Sequence, residues 1–118
     1  MSDSKKSVWD KSPTKQPNTR ARREMRGIAH HLQVVVTVAE KGLSDSVLKE
    51  TKRALQDHEL IKVRINLLDK DLRKQVAEEL AQKCRAFVIQ KIGKVLVLYK
   101  NNPKADPKKS NIVRHKLG

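Results

Sequence analysis

The chain holds four histidines (His30, His31, His58 and His115), one cysteine, Cys84, and an acidic pair, Glu78-Glu79. General acids, nucleophiles and metal ligands are drawn from these types. Their placement argues for none of those roles. No Cys/His spacing matches a zinc site. His58 and Cys84 fall on the apolar stripes of predicted helices, where packed or capping groups belong, and Glu78-Glu79 reads as a solvated helix face. Neither a G-x-x-x-x-G-K-[ST] loop nor a G-x-G-x-x-G fingerprint is present. The sequence points away from catalysis, from a cofactor or metal, and from a small-molecule substrate.

Another chemistry is available in "VVVTVAEKGLSDSV", residues 34–47. A β-branched run gives way to Glu40-Lys41-Gly42, and Ser44 then offers an N-cap for a helix. A loop that opens a helix can be a plain corner. It can also hold a phosphate on backbone amides at the positive end of the helix dipole. Gly42, with Lys41 beside it, is open to both readings.

The charge balance favours a polyanionic partner. Twenty-seven basic and 13 acidic residues give a net +14 in 118 residues, far more than folding requires. The excess is +5 over 1–30, +4 over 31–99 and +5 over 100–118, so both ends are basic. Only three aromatic residues, Trp9, Phe87 and Tyr99, are present. A platform of exposed aromatics on which bases stack is therefore not expected, and recognition should run through phosphates and sugar hydroxyls. No apolar run approaches the ~18 residues of a membrane span, and "MSDSKKSVWDKSP" lacks the apolar core of a signal peptide. One cysteine excludes an intramolecular disulfide and fits a reducing compartment. A cytoplasmic monomer is the expectation.

The elements that must position these groups are legible. Residues 1–18, with Pro13, Pro17 and no apolar period, read as a disordered basic tail, and 101–118 read likewise, although Ile112, Val113 or Leu117 could dock. Between them, Asn18 or Thr19 caps a helix to about Ala29, with Ala21, Met25 and Ile28 on one face. "QVVVTV" is a strand. In the next helix Val47, Leu48, Thr51, Ala54, Leu55 and His58 recur at helical spacing. "LIKVRI" alternates, with Leu60, Lys62 and Arg64 opposite Ile61, Val63 and Ile65, as in a half-buried strand. Asp69 or Asp71 opens a third helix, with Leu72, Val76, Leu80 and Cys84 on one stripe. "AFVIQKI", Gly93-Lys94 and "VLVLYK" form a hairpin. The order α-β-α-β-α-β-β predicts a compact two-layer α/β domain over 19–100, its last strand antiparallel to a neighbour and its crossovers right-handed. Candidate contacts for a polyanion are Arg22, Arg23 and Arg26 on the first helix, Lys41 and Gly42 in the loop, Lys62 and Arg64 on the second strand, and Lys94 and Lys100 on the hairpin.

Three stretches, "RGIAHHLQVVVTVAEKGLSDSVLKE", "DHELIKVRI" and "VIQKIGKVLVLYK", together resemble the YhbY-like proteins, the bacterial stand-alone form of the CRM RNA-binding domain. The resemblance covers about residues 20–100. It implies a four-stranded mixed sheet like that of the C-terminal domain of bacterial translation initiation factor three. It also implies an RNA partner, 23S ribosomal RNA or precursors of the large ribosomal subunit, and a role in assembly. The family loop reads G-x-x-G; here Ala39-Glu40-Lys41-Gly42 stands in its place, with alanine for the first glycine and an acid inside the loop. The family's turn lysine and its basic residue after "LVLY" correspond to Lys94 and Lys100. The rival expectation is an adaptor that docks on ribosomal or assembly proteins, its basic tails following nearby RNA.

Overall fold

The computed structural model describes residues 16–116. The expected tail at 1–18 lies almost wholly outside them. The elements are α1 (Thr19–Ala29), β1 (Val34–Val38), α2 (Asp45–His58), β2 (Leu60–Ile65), α3 (Lys70–Cys84), β3 (Phe87–Ile92), β4 (Val95–Tyr99) and α4 (Asn111–Lys116). Each of the first three helices starts where a side chain can take over an orphan amide. Asn18 Oδ1 accepts from the Ala21 amide at 2.8 Å, Ser44 Oγ from Val47 at 3.2 Å, and Asp69 Oδ1 from both Asp71 and Leu72.

The strands form one mixed sheet in the order β1-β2-β4-β3. β1 runs parallel to β2, and β4 runs antiparallel to both β2 and β3. The mixed α/β fold is the expected one. On one face α2 and α3 cover Val36, Val38, Ile61, Val63, Ile65, Leu96 and Leu98, with Leu55, Ala77, Leu80, Ala81 and Cys84 reaching down from the helices. Leu72 lies outside this contact and is largely exposed, because the apolar stripe of α3 follows Ala77, Leu80, Ala81 and Cys84.

The layering goes beyond two. α1 and α4 lie on the other face, where Met25, Ala29, Leu60, Ile89 and Val97 form a second, smaller cluster with Ile112 against it. Leu60 is thus buried on the same strand face that leaves Arg64 exposed, because the helices cover only one end of that face. Over 101–116 the structure also differs from the expected tail. Glu59, 3% exposed, accepts from the Asn102 amide and from the Ser110 hydroxyl through its two carboxylate oxygens, each at 2.7 Å. Asn111 donates to the Leu60 carbonyl at 2.7 Å, and His58 Nδ1 lies 2.9 Å from the Lys109 carbonyl. These are bonds of polar side chains between positions far apart in the sequence, an arrangement with no sequence period to reveal it.

Candidate nucleic-acid interface

Gly42 closes a tight turn: its amide donates to the Ala39 carbonyl at 2.9 Å, and its own carbonyl accepts from Ser44 at 3.1 Å. Its φ of +77° explains the glycine, since side chains with a Cβ rarely adopt that conformation. A Cβ there would meet nothing within 4 Å, so the demand is conformational and not steric. Gly42→Ala should therefore cost about 1–2 kcal/mol, read by urea melting. An undiminished midpoint would show that the loop relaxes out of the left-handed region. Of the amides beyond Gly42, those of Ser44 and Val47 are taken by the loop and its cap, while those of Leu43, Asp45 and Ser46 have no partner among the described residues.

The loop and the β3–β4 turn meet at one end of the sheet. Asn66 in the β2–α3 connection donates to the Val38 carbonyl at 2.8 Å, and Ile65 donates to the Lys94 carbonyl at 2.7 Å. The Lys94 ammonium lies 3.5 Å from Asn66 Oδ1. The loop that carries Lys41 and Gly42 and the turn that carries Lys94 therefore leave the sheet at the same end, one strand apart. Arg26, Lys62 and Arg64 belong to the open face of the sheet. Arg26 and Lys62 line one concavity there, and Arg64, one pleat along β2, sits beside Thr37 and Val95. Lys62 also has a structural bond, donating to the Leu32 carbonyl at 3.0 Å. Arg22 is turned inward, donating to the Val88 carbonyl at 3.0 Å, while Arg23 is exposed. Lys100 lies at the far end of the sheet, its amide bound to the Glu59 carbonyl, and does not join the group around Lys94.

Four cations that the sequence reading passed over complete the picture. Lys70, Arg73 and Lys74 of α3 face Lys91 and Lys94 of the hairpin across a cleft of about 350 Å³, on the opposite side of the sheet from Arg26. Ile65, Ala77, Val95 and Leu96 form its floor, and Asp71 is its one acid. Arg73 is fixed by donating to the Leu67 and Leu68 carbonyls at 2.7 and 2.9 Å. Among the described residues the side-chain ion pairs are Arg20–Glu24 and Lys83–Glu79, neither at the cleft. The spacing of Lys70, Arg73, Lys74 and Ala77 (i, i+3, i+4, i+7) marks one helical face and was the available signal. Cys84 is buried in the larger core. Burial pushes its thiol pKa up, with Lys52 and Lys100 pulling the other way, as befits a core thiol.

A small mixed α/β domain that concentrates lysines and arginines, without ion-pair partners among the described residues, at one end and on one open sheet face has the makings of an anion-binding module. The CRS1/YhbY (CRM) domain matches residues 18–100, and the chain belongs to that family. It is 44% identical over 93 residues to a probable RNA-binding protein of Pseudomonas aeruginosa, covering 79% of this chain and 89% of that one. An RNA-binding protein of Haemophilus influenzae is 35% identical over 75% of this chain and 89% of its own. A hypothetical Staphylococcus aureus protein, proposed to bind RNA and solved in solution, superposes with a TM-score of 0.68 at 25% identity, over 77% of this chain and 95% of that one.

Proposed function

We propose that this protein binds RNA without catalysing a reaction on it, and that its target is ribosomal RNA during assembly of the large subunit. The observation that carries the reading is the convergence of Lys70, Lys74, Lys91 and Lys94 around one cleft, at the end of the sheet from which the Lys41 loop also leaves, where no acid among the described residues forms an ion pair with them. Membership of the CRM family and the RNA-binding names of its relatives support the choice of polyanion. Lysine and arginine contacts to phosphates supply affinity and orientation and read little sequence. Arg26, Lys62 and Arg64 extend the same chemistry onto the open face, and Arg23 adds an exposed charge on α1.

The test is binding of the full chain to protein-free large-subunit ribosomal RNA over a range of salt. Binding with a steep salt dependence is expected; binding that requires ribosomal proteins would favour the adaptor instead. Crosslinking in cells, with sequencing of the attached RNA, then reads the target. Lys41→Glu removes a single contact. Its affinity should fall roughly 5–8-fold at 0.1 M salt, and the slope of log K against log salt should flatten by about 0.7–0.9. Parent-like affinity and slope would make Gly42 a corner only.

A further inference from the structure

Phosphate contacts leave one feature of the open face unexplained. The concavity beside Arg26 and Lys62 has a volume of about 300 Å³. Ile92 and half-buried Val95 present apolar surface in it, above Ala29 and Val97, which are buried. Ile92 is 63% exposed. His30 and Gln90 complete the wall. Apolar surface left open inside a basic face calls for a ligand that is itself both apolar and anionic. A bare phosphate would answer the cations and ignore the floor. An aliphatic side chain would fill the floor and leave the cations unanswered. A nucleotide does both, with flat ring faces, a polar edge and a charged backbone.

We propose that this concavity takes one unstacked nucleobase from a single-stranded RNA segment, an inference that rests on the RNA-binding reading above. The ring faces lie against Ile92 and Val95. The His30 imidazole supplies the stacking surface that the few aromatic residues do not; the His31 ring stands edge-on to it at 5.3 Å and 81°. The Gln90 amide, donor and acceptor at once, meets the base edge. Arg26 and Lys62 take the flanking phosphates. One ammonium proton of Lys62 is committed to the Leu32 carbonyl, which leaves two for the ligand. A duplex, whose bases are stacked and paired, cannot fill the concavity without extruding one.

The experiment compares the full chain on a single-stranded oligonucleotide and on the same sequence annealed to its complement, over one shared series of salt concentrations, for the parent, Ile92→Ser and Arg26→Gln. The single strand should bind more tightly. Ile92→Ser should lose about five- to tenfold on the single strand alone, with an unchanged salt slope because no phosphate contact is lost. Arg26→Gln should flatten the slope by about 0.7. In NMR titrations, adenosine monophosphate should shift Gln90, Ile92 and Val97, and inorganic phosphate should not. Parent-like binding of the single strand by Ile92→Ser, or phosphate reproducing the nucleotide shifts, overturns the base site while leaving phosphate-mediated binding intact. A parent that binds neither RNA form overturns both.

Discussion

Truncation after Lys100 should leave a chain that still melts cooperatively but is less stable by roughly 2–5 kcal/mol. The larger core, between the sheet and α2 and α3, owes nothing to the removed residues, so folding survives. What goes is the strap across the α2–β2 corner. Ile112 leaves the cluster formed by Met25, Leu60 and Val97. Glu59 loses the Asn102 amide and the Ser110 hydroxyl, and Leu60 loses the donor on Asn111. Hydrogen bonds to a charged group contribute about 1.5–3 kcal/mol each and neutral ones about 1; the ordering entropy of the removed segment offsets part of that sum. Glu59 also sits at φ +62° and ψ −40°, a sparsely populated conformation that costs roughly 1–3 kcal/mol and which the strap helps to hold. In a domain of this size each kcal/mol moves Tm by about 4–8 °C. Coincident melts for the two chains would mean that the strap adds no net stability. Ser110→Ala, which removes one of the two donors to Glu59, should cost about 1–3 kcal/mol.

Reversing two cleft lysines together, Lys74→Glu with Lys91→Glu, should have the largest effect on RNA affinity. The two residues come from different elements and meet only across the cleft. If each holds one phosphate, losing both should weaken binding roughly 25–60-fold at 0.1 M salt and flatten the salt slope by about 1.4–1.8. Both side chains are exposed, so the melting midpoint should stay close to that of the parent. Lys83→Glu is the control, since Lys83 pairs with Glu79 at 3.4 Å away from the cleft. Equal losses in the control and the double variant would reduce the cleft to general charge. An unaffected double variant would remove it from the interface.

Most of the fold could be read because its elements are periodic. Asn18, Ser44 and Asp69 act through local geometry, and the alternation of "LIKVRI" reports which residues face α2 and α3. The positive φ of Gly42 and Gly93 is likewise a local demand met by a local residue. The strap at 101–116 could not be read this way. Its anchors are Glu59, Ser110 and Asn111, polar residues whose bonds span 43 to 51 positions, and Pro103 and Pro107 resemble the punctuation of a disordered tail. The interface was legible in residue type and less so in assembly. Lysines on α3 and on the hairpin look like separate solvated faces until the sheet order places them together. Lys100, by the same order, ends up at the opposite end from Lys94. The apolar floor beside Arg26 needed the structure too, because it combines alternate residues of β3 and β4 with the last turn of α1.

The position of β4 has a consequence for synthesis. It lies between β2 and β3, so the fourth strand to leave the ribosome is an interior strand of the sheet. Before it emerges, β2 has a partner only in β1 and β3 has none. The nascent chain can form α2 and the parallel β1–β2 pair, but it must keep two apolar strands waiting with unpaired edges. Folding should therefore be a late, concerted event triggered by the release of residues 95–99. Until then those open strands are the natural point of attack for chaperones and proteases.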